Sequence, residues 1–362
     1  MDRRDFLRLT GAVSATAALP GAVSSAFAQS PASDRWRVFE VTTRVEVVKP
    51  TGVTRIWLPT PLTQDTVYQK SMGNWWEDGG GTVSQSVDPR YSAGMVWAEF
   101  APGSKPELIL TSRFATRDVA VDLFVPGSTP AEDPAVLARY LQPTDHMPLD
   151  GAVKDLSSSI VQGKRTDVEK AKAIYDWIVD NTARDPKTKG CGTGDVKFMI
   201  ENKLYTGKCA DLNALYVTLA RAEGLPARDV YGVRVAGSAY GYNSLGKAGG
   251  DITKAQHCRA EVYLKTHGWV PVDPADVRKV ILEEAGGKKP DDPMVLAARK
   301  RLFGSWEMNW LAYNTAHDVA LPKSSGSKIA FLMYPQAETG SGRLDSLDPD
   351  NFKYTITAKE VA

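Results

Sequence analysis

Gly207-Lys208-Cys209-Ala210-Asp211 runs straight into Leu212-Asn213-Ala214-Leu215-Tyr216-Val217, which puts a cysteine where a loop becomes a helix. A thiol is a weak nucleophile until its thiolate is stabilised. The partial positive charge and free N–H groups of a helix N-terminus do this directly. Downstream, Gln256-His257-Cys258-Arg259 offers a base, and Gly268-Trp269-Val270-Pro271-Val272-Asp273-Pro274 offers a carboxylate to orient it. This set supports attack by Cys209 with His257 as general base, Asp273 accepting the imidazole Nδ1–H and fixing the tautomer. Each residue also has a plainer role: a small buried hydrophobe, a strand histidine, a turn residue before proline. The chain holds only four histidines, and the other three are worse placed for this chemistry. His146 lies in a Pro-flanked loop, His267 at a hairpin tip and His317 in the tail. No two Cys or His residues stand at ligand spacing and no cofactor motif occurs, so neither metal nor cofactor is expected.

Several elements must position these side chains. Thr166-Asp167-Val168-Glu169 is a capping-box pattern, after which Ile174, Trp177 and Ile178 recur at helical spacing. The helix opened by Cys209 carries Leu212, Leu215, Tyr216 and Leu219 on one stripe and stops at Gly224 before Pro226. Val230 to Val235 reads as a strand, and Ala236 to Gly250 as a flexible Gly/Ser loop placed where a lid would be useful. In Cys258 to Leu264 the period of two puts Cys258, Ala260, Val262 and Leu264 on the buried face. His257, Arg259, Glu261 and Tyr263 take the other. A turn at Thr266-His267-Gly268 then brings Asp273 back near His257, with a residue or two of slack in the register.

Upstream, Arg35 to about Phe124 reads as short strands, among them Trp36 to Val48, Thr54 to Leu58, Met95 to Phe100 and Glu107 to Leu123. This predicts an all-β sandwich over residues 35–125, about 90 residues long, closed by a Pro/Gly stretch at 126–130. The tail from 281 holds an expected helix over 292–302, an aromatic run at 303–310, and strand-like pieces at 329–334 and 352–356. Trp306 and Trp310 stand four apart and on a helix would pack as core, although the pair could also cover a cleft, with Trp306 a candidate for substrate contact. Tyr240 and Tyr242 are further candidates for substrate contact. The Cys209 N–H is a natural oxyanion donor; Trp177 is a candidate for the second, against its place on a packing stripe.

Asp2-Arg3-Arg4-Asp5-Phe6-Leu7-Arg8 is a twin-arginine segment, followed by an Ala-rich, weakly apolar stretch to Ala26-Phe27-Ala28. It predicts a signal peptide over residues 1–28 and a periplasmic, oxidising destination, with no stable membrane span after processing. Removing it lowers Lys+Arg from 44 to 41 and Asp+Glu from 43 to 41, a formally neutral chain with no field to attract nucleic acid. Three cysteines make no disulfide scaffold, and an odd number leaves at least one thiol unpaired within the chain. Cys191, in a Gly-rich loop, is expected to be exposed. Its pairing with Cys258, or reversibly with Cys209, stays open.

The Gly207–Asp211 block, Ala220-Arg221-Ala222-Glu223-Gly224-Leu225-Pro226-Ala227-Arg228, the His257–Glu261 block and Gly268–Pro274 together resemble the transglutaminase-like superfamily, in its bacterial exported branch. The motifs span about residues 170–279, in the family's order. The resemblance implies an α+β fold: a papain-like transglutaminase core over 135–280, preceded by the β-sandwich-like domain and followed by an extension, 281–362, packed on the core. It places the triad at Cys209, His257 and Asp273. It implies acyl transfer on protein, peptide or peptidoglycan-type amides through a thioester, the alternative being a catalytically silent peptide- or glycan-binding envelope protein. Gly-Lys-Cys-Ala replaces the Gly-Gln-Cys-Trp context of the animal cross-linking enzymes, and no calcium-loop pattern occurs. Both departures point to a peptidase or amidase.

Overall fold

The computed structural model describes residues 34–361, apart from 126, 128–130 and 248. The expected signal peptide and most of the 126–130 linker lie outside the described residues.

The N-terminal half builds two antiparallel sheets from β1 (Arg37–Val47), β2 (Thr54–Pro59), β3 (Gln69–Glu77), β4 (Thr82–Val87), β5 (Gly94–Phe100) and β6 (Glu107–Thr116). In β1, Phe39, Val41, Val45 and Val47 alternate inward between exposed or half-exposed neighbours. Val45, Ile56, Leu58, Val96, Phe100 and Leu108 meet between the sheets in one apolar cluster, so the region is a sandwich. β3 and β4 escape the hydrophobic pattern because they are edge strands, mostly exposed along their length. In β3 the register against β6 shifts between Ser71 and Asn74. With one face in water and no partner on one side, neither strand shows the alternation that marks a buried strand.

The mixed half contains α1 (Pro134–Arg139), α2 (Gly151–Ile160), α3 (Asp167–Asn181), α4 (Val196–Glu201) and α5 (Cys209–Ala222). The Thr166 capping box forms as the sequence predicts: its hydroxyl accepts from Glu169 N–H and the Glu169 carboxylate accepts from Thr166 N–H. There follow β7 (Ala227–Arg234), β8 (Gln256–Leu264), β9 (Gly268–Val272), α6 (Pro274–Glu283), α7 (Pro293–Arg301) and β10 (Trp310–Asn314). The sheet order is β9-β8-β7-β10, antiparallel throughout. Every described residue of α5 from Cys209 to Arg221 is buried, so this helix is the centre of the core rather than a one-sided surface helix.

The tail is distributed rather than packed on the core alone. β10 joins the core sheet, while β11 (Gln336–Thr339) pairs with β2 and β12 (Phe352–Val361) pairs with β1 along its whole length. Residues 329–334 form a single bridge instead of the expected strand, and the strand begins beyond Pro335. Trp306 and Trp310 are not on a helix either: the first lies in a two-residue strand and the second opens β10.

Candidate active site

Cys209 is the first residue of α5, and no earlier turn of the helix is there to accept its N–H. The loop before it is fastened by Asp211, whose buried carboxylate accepts from the N–H groups of Lys208, Thr193 and Gly194 at 2.9, 2.9 and 3.0 Å. The same carboxylate thereby ties the loop carrying Cys191 to the helix start, and Ala210 N–H donates to the Cys191 carbonyl at 2.9 Å. Gly192, at φ +94°, is needed here because a Cβ would stand 1.8 Å from the Asp211 carboxylate. Gly192→Ala is expected to lower stability by about 3 kcal/mol, from backbone strain and displaced backbone donors. Urea unfolding reads this directly, and a loss under about 1 kcal/mol would contradict it.

His257 is in β8, opposite Gly232, and its carbonyl accepts from Trp310 Nε1 at 3.1 Å. Its Nε2 lies 2.7 Å from Asp273 Oδ2 and 3.3 Å from Asp276 Oδ1. The carboxylate therefore engages Nε2, not the expected Nδ1, and Nδ1 is the nitrogen left for the thiol. The His257 ring lines the same cleft as Cys209 and helps to lower the pKa of its thiol. The observed register places Ala260 opposite Val272. That is two residues from the simple mirror pairing of 257 with 273, so Asp273 stands beyond the strand end, opposite Arg259. Because the shift is even, the faces are kept.

Asp273 has a second task as the N-cap of α6, where Oδ1 accepts from Asp276 N–H at 3.0 Å. Oδ1 also accepts from Asn213 Nδ2 at 3.2 Å, and Asn213 stands one helical turn beyond Cys209. Asp276 accepts through both oxygens from Arg234 Nη2, at 2.6 and 2.7 Å. Asp276, Arg234 and Asn213 were not foreseen. The spacing Asp273-Pro274-Ala275-Asp276 is a first-turn signature that could have flagged Asp276.

The charges are set by these neighbours. Burial and Arg234 push His257 towards its neutral form, yet the Asp276 and Asp273 carboxylates outweigh them and raise its pKa to about 9. Hydrogen bonds from the Cys191 and Cys258 thiols, then the His257 ring, hold Cys209 well below the ordinary thiol value against the opposing effect of burial. Cys191 moves up, chiefly through its hydrogen bond to Cys209. Cys258 moves up mainly through burial. One of three neighbouring sulfurs is thus the preferred thiolate.

All three cysteines are free and buried. Cys191 was expected to be exposed. Instead its Sγ lies 3.3 Å from the Gln256 carbonyl and its N–H donates to Tyr334 Oη at 2.9 Å. Cys258 points into the core as predicted, 3.8 Å from Met333 Sδ. The supposed polar face of β8 is buried as well, because Arg259 stacks on Trp310 and Trp306 at 4.7 and 5.4 Å and Glu261 pairs with Arg228 at 2.6 Å.

A cleft of about 790 Å³ opens over Cys191, Cys209, Gln256 and His257, walled by Tyr334, Leu347 and Tyr354. None of the four expected contact residues lines it. Trp306 is buried as the stacking partner of Arg259, and Trp177 packs edge-on against Tyr205 at 5.3 Å. Tyr240 and Tyr242 both stack on Arg301, at 4.0 and 5.1 Å. Nor is the 236–250 segment a loose lid where it meets the cleft. Arg234 donates to Leu245 O at 2.6 Å, Glu284 accepts from Ser244, and Glu307 accepts from Ser238 and Ala239. The ligand atoms of His257, Asp273 and Asp276 lie within 4.8 Å of one another and could hold a cation. Here they are arranged as an ion-pair network, with Arg234 on Asp276 and Arg259 3.7 Å from Asp273.

Residues 154–274, which contain Cys209, His257 and Asp273, match the family model of the transglutaminase-like superfamily. The chain belongs to the transglutaminase-like superfamily. An uncharacterized protein of Haemophilus influenzae is 33% identical over 342 residues, covering 90% of this chain and 92% of that one. The uncharacterized protein YebA of Bacillus subtilis is 28% identical over 145 residues, 38% of this chain and 19% of that one. A solved structure of a candidate cysteine protease from Cytophaga hutchinsonii shares the fold at 16% identity, with a TM-score of 0.51 over 90% of this chain and 98% of that one. Residues 1–20 match the twin-arginine signal model, so this transglutaminase-like protein is exported by the twin-arginine route. Among the described residues no helix is long and apolar enough to cross a membrane.

Proposed function

We propose that this protein is a periplasmic thiol enzyme that performs acyl transfer on amide bonds, a peptidase or amidase rather than a cross-linking enzyme. What supports the reading is that a helix-start cysteine lines one cleft with a histidine ring braced by a buried carboxylate. The Cys209 thiolate attacks the amide carbonyl carbon, and the C–N bond then breaks as the His257 imidazolium passes its proton to the leaving amine. The acyl group is held as a Cys209 thioester. Neutral His257 next takes a proton from water as its oxygen attacks, and the carboxylic acid leaves with the thiolate restored. Asp273 keeps the ring oriented through both halves. The Cys209 N–H is one oxyanion donor, and Gln256 Nε2, buried beside His257 without a hydrogen-bond partner among the described residues, offers a second.

The test is a pair of pH profiles on the purified protein. Alkylation of Cys209 by iodoacetamide needs only the thiolate, so its rate is expected to level off well below the pH at which a free thiol ionises and to show no alkaline fall. Amide turnover also needs the imidazolium, which is present below the raised His257 value and lost above it. Turnover on a casein digest is therefore expected to decline as the pH rises through about 9. Acid quenching during turnover should trap an acyl mass on the peptide containing Cys209. A reactive Cys191 with an inert Cys209, or alkylation tracking an ordinary thiol, would overturn the reading. A Cys209→Ala strain that keeps full function would instead select a binding protein.

A further inference from the structure

Seven of the residues lining the catalytic cleft are Lys or Arg and one, Glu283, is acidic. The mature chain is formally neutral, so this excess is placed there by the fold and not by composition. Part of it is already used. Arg234 is spent on Asp276, and Lys189 reaches Asp345 at 2.5 Å. Arg184 and Lys279 share Glu283, at 2.5 and 3.6 Å, which leaves one positive charge over. Lys208, Lys247 and Lys254 have no ion pair among the described residues. Asp251 feels the fields of Lys247 and Lys254, without a salt bridge to either.

These free cations are not scattered over the surface. Lys208 directly precedes the nucleophile, while Lys247 and Lys254 stand exposed at the two ends of the segment that leads into β8 and His257. A cleft with low-dielectric walls focuses such a field on whatever enters it. Leu347, Pro349 and Tyr354 add apolar surface to the same cleft. We propose that the cleft selects an acidic peptide, one presenting two or more carboxylates to Lys208, Lys247 and Lys254 while its scissile amide meets Cys209. This rests on the reading of Cys209 as the nucleophile, and adds the class of substrate to it.

Two alkylating reagents of opposite demand separate the two ideas. On the full-length mature protein, the rate of Cys209 modification by anionic iodoacetate is divided by that of neutral iodoacetamide, and the quotient is compared with the same quotient for N-acetylcysteine amide. The modified residue is identified by peptide mass mapping. At low ionic strength the protein's quotient is expected to exceed the reference by about tenfold and to fall towards it as salt is raised. Lys247→Glu/Lys254→Glu should bring the quotient down by a similar factor; because only the ratio is read, any change in thiol reactivity cancels. Triglutamate should slow iodoacetamide at Cys209, and trilysine should not. A quotient equal to the reference and indifferent to salt and to the double substitution overturns the proposal while leaving Cys209 as nucleophile. Failure of both reagents to modify Cys209 overturns the catalytic reading itself. Protection by inorganic tripolyphosphate that matches or exceeds that of triglutamate overturns the peptide assignment in favour of a general polyanion site.

Discussion

Cys209→Ala is expected to reduce amide turnover to the uncatalysed background, a loss of about 10⁴-fold or more, in a protein that still folds. The size follows from the chemistry. Removing the nucleophile of a triad leaves only binding and oxyanion stabilisation, and members of such a unit do not act additively. The expectation of an intact fold follows from the packing. The side chain is small, and Asp211, not the thiol, fastens the helix start through three backbone N–H groups. His257 keeps both carboxylate neighbours, so its charge is not stranded. Cys209→Ser is the sharper variant, because it preserves volume and hydrogen bonding but puts a hydroxyl that does not ionise where a thiolate stood. It should be nearly as inactive as the alanine. Turnover and thermal unfolding measured side by side decide the matter: an active Cys209→Ala protein refutes the mechanism, and an unfolded one is answered by the serine variant.

How much of this site the sequence carried depends on the range over which each interaction acts. The Cys209 helix start, the Thr166 capping box and the His–Asp hairpin are set by neighbours within a few residues, and all are legible. The alternating faces of β8 are equally legible, but the inference that a polar face is exposed fails. Arg259 and Glu261 are buried because Trp306, Trp310 and Arg228 arrive from distant parts of the chain to cover them. Long-range pairing defeats local pattern elsewhere too. Nothing near residue 352 announces that it will complete a sheet begun at residue 37. Which imidazole nitrogen faces the carboxylate depends on ring orientation, and no spacing encodes that. Cys191 reads as exposed because Gly190, Gly192 and Gly194 make its surroundings a Gly-rich loop. Here Gly192 permits close approach to Asp211 and Gly190 to Leu347 and Tyr334, and the thiol is held in the cleft.

Arg234→Met is expected to have the largest effect on stability, about 3–5 kcal/mol. Arg234 and Asp276 are almost fully buried; Nη2 donates to both carboxylate oxygens at 2.6 and 2.7 Å, and Nη1 donates to Leu245 O. Removing the cation leaves a buried carboxylate whose other ion pair among the described residues is with His257, beside a second carboxylate already bearing on that ring. Two consequences can be measured. Urea unfolding should show the loss, while Arg234→Met combined with Asp276→Leu should recover much of it, since an apolar pair does not strand a charge. The pKa of His257 should also move, because Arg234 opposes the imidazolium and Asp276 favours it. In the single variant the alkaline limb of turnover should shift above pH 9, and in the double variant it should shift back down. The sign extends to stability. A histidine raised to about 9 in the folded state stabilises fully below its unfolded value, and that contribution is lost as the pH climbs through 9. If Arg234→Met unfolds within about 1 kcal/mol of wild type and its alkaline limb stays in place, the network is not what sets the charge of His257.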